Sequence, residues 1–404
     1  MARFLFVVPP FTGHINPTIS IGVDLIDKGH EVAWFGVEKS LTNALPERSQ
    51  YYLLEELTND SETNLKVNLI LNSLRKVQRT QGPESIKLLY EDVLVPLARC
   101  MRPALKKAID SFSPHVIIND QQAFMGAICA YEEGIPYITS VTAPEAIQEF
   151  PGIPKVMEWE ASQIIELQKE CGVNEDRKIN CSDLLTLIFS SYALMGSDDF
   201  SDHYKFVGPV IKNRKIVTDF NWGEIDDAAN PKVLVTLGTF IDGLKSTFFS
   251  EVIDALGNQP VTVIVLADRE LFSEWPANFI VTSFIPQIEM LGKVHAVICH
   301  GGHNTVCEAL WHGLPLIVIP YSVDQYNVAS QVIRAGCGLR LKYSRLTASH
   351  LRESVWDILQ NEKYKAAAGE IRNSFLQAGG TEEAVRLIEL VALTKTKACE
   401  KHCH

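Results

Sequence analysis

The feature that most limits the fold of this chain is a series of short apolar runs bounded by Gly or Pro. They are RFLFVVPP (3–10), EVAWFGV (31–37), HVIIND (115–120), PYITSV (136–141), KVLVTLGT (232–239), VTVIVLA (261–267), AVICHGG (296–302) and LPLIVIP (314–320). Continuous apolar runs of this length are the pattern of parallel strands buried on both faces. Amphipathic segments lie between them. In NPTISIGVDLIDKGH (16–30), Ile19, Val23 and Ile26 share one face and Gly29 ends the helix. AFMGAICAYEEGI (123–135) and HNTVCEALWHG (303–313) read as two further helices. Strand–helix–strand repetition in both halves predicts an α/β protein, with two Rossmann-like doubly wound parallel-sheet domains facing a cleft.

The length of 404 residues agrees with two domains. The segment FVGPVIKNRKIVTDFNWGEIDDAANP (206–231) has weak periodicity and Pro near both ends. The expected division is therefore 1–210, a linker at 211–230, and 231–404. Segments 61–105 and 151–195 are expected to decorate the mouth of the first domain. A last helical stretch, about 362–395, is long enough to pack beyond the second domain, back on the first.

Composition removes several classes of function. No apolar run reaches the ~20 residues that span a bilayer, so stable membrane insertion is not expected. The opening MARFLFVVPPFTGH lacks a small-residue cleavage site and reads as a first strand, not a signal peptide. A net charge of −12 argues against nucleic acid or an anionic membrane surface as a general partner. Nine cysteines, an odd count without paired spacing, fit a reduced cytoplasm. The tail ACEKHCH, with His402, Cys403 and His404, reads as a frayed terminus, and no metal site is expected.

Two stretches carry chemistry. In HGGHNTVCEALWHGLPLIVIPYSVDQYN (300–327), a strand runs through a glycine turn into a helix. Ligands of open α/β sheets bind at the carboxyl ends of strands. Gly301 and Gly302 let the backbone approach a ligand closely. The helix opening near His303 aims its N–H groups and positive dipole end at the same place. Asn304 and Thr305 add short donors, and His300 adds one that can carry charge. The result is an anion site of the phosphate kind. Glu308, one turn below Asn304, suits a ribose diol. Asp324 and Gln325 follow the next strand and suit sugar hydroxyls. The bland reading is an ordinary turn capped by polar groups.

In PPFTGHINP, His14 sits between the first strand and the first helix, at a carboxyl edge. An unperturbed pKa of ~6.5 suits a general base at neutral pH. Asp120 ends a strand of the same sheet and can hold one imidazole N–H. Both residues also have structural readings, His14 as a helix cap and Asp120 as a turn former. Phe150, Met157 and Trp159 fall in a Pro-rich region that suits an apolar acceptor wall or ordinary helix packing.

The ordered set His300, Gly301-Gly302, Asn304-Thr305, Glu308, Pro315, Asp324-Gln325 resembles the nucleotide-sugar signature of the two-domain (GT-B) glycosyltransferases. More closely it resembles the UDP-glycosyltransferase superfamily, in its bacterial macrolide and natural-product branch. FIPQ (284–287), TGHINP (12–17), GHEV (29–32), FVGP (206–209) and TLGT (236–239) keep the order and spacing of that family. The resemblance implies an inverting, metal-independent hexosyltransferase without a cofactor. His14 matches the base and Asp120 the acid that orients it. Thr239, His300, Gly302, Asn304 and Thr305 match phosphate ligands, Glu308 the ribose ligand, and Asp324 and Gln325 the donor-sugar contacts. Phe284, Ile285 and Gln287 open the signature at the nucleoside. Plant relatives have a tryptophan there that stacks on uracil, so uracil and thymine both stay open. UDP-glucose is the default donor and a dTDP-sugar the competitor, with a small hydrophobic natural product as acceptor. Rival readings are a lipid-precursor transferase at a membrane face, a UDP-sugar epimerase and a non-catalytic nucleotide-sugar binder.

Overall fold

The computed structural model describes residues 1–80, 82–147, 154–196, 200–211, 220–237 and 242–400. Two compact units emerge. One comprises Met1–Phe189, Asp199–Arg214 and Ala378–His404, the other Ser190–Asp198 and Lys215–Gln377. Each is built on an all-parallel sheet.

In the first unit the strands are β1 (Arg3–Val7), β2 (Glu31–Gly36), β3 (Gln50–Leu53), β4 (Val116–Asp120), β5 (Tyr137–Val141), β6 (Thr186–Ile188) and β7 (Tyr204–Phe206), in the order 3-2-1-4-5-6-7. Alternation along each strand feeds two layers of core. Leu5 and Val7 turn toward the helix Val95–Phe112, with Met101, Leu105 and Ile109. Phe4 and Phe6 turn the other way, toward Ile15 and Ile19 of the helix Thr12–Asp27. Trp34, fully buried, stacks on Phe6 and donates its indole N–H to Thr18 Oγ1 at 2.9 Å.

In the second unit β8 (Lys232–Thr236), β9 (Thr262–Leu266), β10 (Phe279–Thr282), β11 (Ala296–Cys299), β12 (Leu316–Val318) and β13 (Gly338–Arg340) follow the order 10-9-8-11-12-13. Both sheets therefore reverse direction beside their first strand, between β1 and β4 and between β8 and β11. This is the topological switch point, where the crevice for a ligand opens at the carboxyl ends. The two sheets share a further detail. His115, just before β4, accepts the Arg3 N–H at 2.8 Å, and His295, just before β11, accepts the Lys232 N–H at 3.1 Å. These histidines are structural.

Eight expected strands are present. The five that the apolar pattern misses (β3, β6, β7, β10 and β13) are three or four residues long and lie toward the sheet edges. Short edge strands carry too few apolar residues to stand out. The first helix begins at Thr12, not at Asn16, and holds Pro17 inside it. Proline usually marks the first helical position, but here it sits in the second turn, where only one i−4 bond is lost. His14 therefore lies within the helix's first turn. The stretch 362–395 is two helices, Glu362–Ala378 and Gly380–Glu400, divided where Gly379 and Gly380 take φ of 91° and 59°. That left-handed backbone is readily accessible only to glycine.

The second of these helices belongs to the first unit. Ala384, Val385 and Ile388 join the core of Phe4, Ile15 and Ile19. Glu389 accepts from Lys28 Nζ at 2.6 Å and pairs with His30 Nε2 at 3.1 Å. Conversely, Ser190–Met195 packs on the second unit. Leu194 enters its core and its carbonyl accepts from Arg334 at 2.8 Å. No helix among the described residues is long and apolar enough to cross a membrane.

Candidate functional site

The first unit brings His14 and Asp120 together. His14 is the third residue of its helix, just past β1, and Asp120 is the last residue of β4, the neighbouring strand. His14 Nδ1 lies 2.9 Å from Asp120 Oδ1. The carboxylate is fully buried, whereas the imidazole keeps 14% of its side-chain surface exposed. A buried carboxylate must be supplied with donors. Asp120 Oδ1 also accepts the Gln122 backbone N–H at 2.9 Å. Its Oδ2 accepts the hydroxyl of Thr142 at 3.2 Å, and that same Thr142 oxygen lies 2.6 Å from His14 Nδ1.

These contacts determine the tautomer. A carboxylate oxygen at 2.9 Å would face a lone pair if the proton sat on Nε2, so the proton sits on Nδ1 and Nε2 carries the lone pair. Thr142 had no signal in the sequence. It stands just past β5, and only the strand order shows that β5 borders β4.

The second unit arranges the 300–325 residues around the carboxyl ends of β11 and β12. Gly301 has φ of 93°, and a Cβ there would lie 2.7 Å from Val318 Cγ1. Gly302 is the N-cap of the helix His303–Trp311, with no side-chain cap. A Cβ on Gly302 would meet His300 Nε2 at 2.7 Å. The imidazole of His300 thus lies over the bare backbone at the helix tip. Asn304 and Thr305 follow in the first turn, half-buried. A helix tip of this kind favours an anion.

The expectation that His300 can be cationic changes. Burial holds its pKa down to about 4, with Asp324 pulling the other way. The ring is neutral at physiological pH. In an unfolded chain it titrates near ~6.5. Between these values the unfolded chain binds more protons, so this site loses stability as pH falls from about 6.5 toward 4. His300→Gln is expected to lose less stability than the parent over that window and to run parallel to it above pH 7, as urea melts at each pH will show.

Glu308 is buried, and its Oε2 accepts from Gln287 Nε2 at 2.6 Å. The opening of the signature and its carboxylate are thereby joined. Phe284 is 47% exposed, whereas Ile285 turns into the core. Of the two residues in the stacking position, Phe284 alone presents a side chain outward. Asp324 is exposed and accepts from the Ser322 hydroxyl. Gln325 has a structural task. Its Oε1 accepts from the Tyr321 and Ser322 N–H groups at 2.9 and 3.2 Å, completing a capping box on the helix Val323–Arg334. Gln325→Ala is expected to cost about 1 kcal/mol through loss of the cap, read as a shift in the denaturant midpoint without ligand.

Thr239, Phe150 and the tail of His402, Cys403 and His404 lie outside the described residues. In the proposed acceptor wall, Trp159 packs edge-on against Tyr90, with ring centroids 5.9 Å apart, and joins the first core. That favours its packing role.

Residues 250–390 match the family model for the C-terminal domain of erythromycin biosynthesis protein CIII-like proteins. The UDP-glucosyltransferase YojK of Bacillus subtilis is 27% identical, over 98% of this chain and 99% of its own length. The 4'-demethylrebeccamycin synthase of Lentzea aerocolonigenes is 24% identical over 96% and 99%. Among solved structures, the glycotransferase of kitacinnamycin superposes with a TM-score of 0.73 at 20% identity, over 96% of this chain and 98% of that one. Two parallel α/β domains, the paired His14 and Asp120, the glycine turn at a helix tip and these relatives converge. The chain has the GT-B fold, and its sequence is similar to those of bacterial UDP-glucosyltransferases and antibiotic glycosyltransferases.

Proposed function

We propose that this glycosyltransferase moves a hexose from a nucleoside diphosphate sugar to a hydroxyl of a small hydrophobic natural product, with inversion at the anomeric carbon. His14 Nε2 takes the acceptor's hydroxyl proton. The acceptor oxygen attacks the anomeric carbon, the bond from that carbon to the diphosphate oxygen breaks, and its electron pair leaves on the phosphate. Asp120 steadies the imidazolium that results. His300, Gly302, Asn304 and Thr305 hold the departing diphosphate, and the family resemblance adds Thr239 to them, so that no bound metal or cofactor is needed. Glu308, held by Gln287, takes the ribose diol, and Phe284 stacks on the base. Asp324 and the amide nitrogen of Gln325 read the sugar.

The observation that carries this reading is the imidazole of His14, locked by a buried carboxylate at 2.9 Å so that its basic nitrogen is Nε2. A passive binder has no need of such a base. UDP-glucose is the donor favoured by the UDP-glucosyltransferase likeness. The test is a panel of UDP- and dTDP-sugars with aromatic and polyketide acceptors, with and without EDTA, followed by mass spectrometry and by the anomeric proton coupling of the product. An inverted glycoside formed equally in EDTA is expected. A product of retained configuration, or an epimerised donor without transfer, would overturn the reading.

A further inference from the structure

The first unit holds a cavity that the proposed transfer does not use. It has a volume of about 710 Å³ and lies between the helices Ser61–Arg79 and Val95–Phe112. Sites for small molecules have volumes of about 300–1,000 Å³. Helical spacing accounts for the lining. Met101, Leu105 and Ile109 of the second helix point into the core. Pro96, Cys100, Pro103 and Ala104 of that helix line the cavity, and their short side chains leave the gap to the facing helix unfilled. The facing helix lines it with Thr63, Lys66 and Ile70, and with Leu69, which is 59% exposed.

The charge of the lining is opposite to that of the chain. Lys66, Arg99 and Lys107 line the cavity in a protein of net charge −12. Asp60 is the one carboxylate among the lining residues, and it is engaged as the cap of its own helix. Its oxygens accept from the Glu62 and Thr63 N–H groups and from the Thr63 hydroxyl. The three cations retain donors beyond their present contacts. Arg99 uses Nε and Nη2 on Glu170, which leaves Nη1. Lys66 pairs with Glu62 at 2.7 Å, and Lys107 donates to the Leu57 carbonyl at 2.8 Å. Each ammonium has three N–H groups to give. The pairs with Glu62 and Glu170 are exposed, and exposed ion pairs hold their partners weakly.

We propose that this cavity binds an amphiphilic anion, a carboxylate or sulfonate carried on an apolar body, at a site separate from His14 and Asp120. The apolar body lies on Ile70, Pro96, Pro103 and Ala104. The anionic head takes the remaining N–H groups of Lys66, Arg99 and Lys107, as charge-assisted hydrogen bonds. An uncharged molecule of the same shape meets the wall without using the cations, and binds more weakly. None of the lining residues belongs to the proposed catalytic or donor-binding groups, so the site stands apart from the transfer chemistry.

The test titrates the full chain with 8-anilinonaphthalene-1-sulfonate and with its uncharged counterpart N-phenyl-1-naphthylamine, followed by fluorescence. Occupancy is located by the protection of Cys100 from N-ethylmaleimide, read by peptide mass spectrometry. Cys100 is half-buried in the cavity wall, so its alkylation reports on this site and not on an acceptor site. The sulfonate is expected to slow Cys100 alkylation at least about fivefold, and the uncharged probe at equal concentration less than about twofold. Lys66→Gln/Arg99→Gln is expected to weaken sulfonate binding by about 5- to 20-fold, the combined worth of two exposed charges, with an unchanged melting curve. Should that pair disturb the fold, Lys66→Gln alone is expected to weaken it by about 2- to 5-fold. Arg75→Gln/Arg79→Gln removes the same charge from the same helix outside the lining, and is expected to change binding by less than about 1.5-fold. His14→Ala is expected to leave the protection of Cys100 unchanged. Full-rate alkylation at saturating sulfonate would overturn the proposal, as would equal protection by the uncharged probe. So would equal losses in the two double variants, which would make the attraction one of general charge. Loss of transfer in His14→Ala, or its retention, bears on the base alone and leaves this site as it stands.

Discussion

His14→Ala is expected to cut the transfer rate by about 10²- to 10⁴-fold, the usual worth of a positioned general base, while donor affinity stays within about twofold. The first half of that expectation follows from the locked tautomer. With Nδ1–H committed to Asp120 and Thr142, Nε2 is the nitrogen that takes a proton, and alanine offers no substitute. The second half follows from the division of labour between the two units. The groups assigned to the diphosphate and nucleoside, from Phe284 to Gln325, all belong to the second unit, and His14 belongs to the first. Removing the imidazole takes no donor from the helix tip at 302–305. Initial rates at saturating donor, together with calorimetry of UDP binding, measure both halves. A turnover unchanged in the variant would remove His14 from the chemistry. A large fall in UDP affinity would instead make it a donor ligand.

Gly302→Ala is expected to weaken nucleoside diphosphate binding by about 10- to 100-fold, the range for charge-assisted hydrogen bonds, with little loss of fold stability. The backbone here is ordinary for any residue, with φ of −62° and ψ of 130°. The added methyl would meet the far end of the His300 ring, at 2.7 Å from Nε2 and 3.0 Å from Cε1. The ring can swing away, so the cost falls on the ligand's partner and not on the core. The methyl also occupies the ground over which a phosphate would approach the N–H groups of the helix tip. Gly301 makes the contrast. At φ of 93°, with Val318 Cγ1 and the Gln325 carbonyl against any Cβ, alanine there strains the turn itself. Binding isotherms paired with melting curves for Gly302→Ala separate the two effects. An unchanged affinity would take the diphosphate away from this turn.

Much of the fold could be read from local pattern. Strands such as FLFV and VLVT are apolar on both faces, and burial on both faces is a property that a run of sequence records directly. The glycine turn between β11 and its helix was legible for the same reason, since Gly301-Gly302, Asn304 and Thr305 are contiguous. The edge strands were not legible, because three residues such as YKF of β7 carry no periodicity. Nor was the break at Gly379-Gly380, where helical pattern continues on both sides and only positive φ turns the chain.

By itself the sequence determined which residues could do chemistry: an imidazole after the first strand, a carboxylate ending another, and a bare turn opening a helix. Tertiary structure alone decided how they act. Strand order put Thr142, 128 residues from His14, against the same ring nitrogen. Burial made His300 neutral and turned Ile285 inward while Phe284 stayed out. Capping geometry committed the Gln325 side-chain oxygen, Oε1, to its own helix. The reason is physical. Proton position, solvation and side-chain direction are set by neighbours in space, and a parallel sheet with crossover helices brings those neighbours from distant parts of the chain.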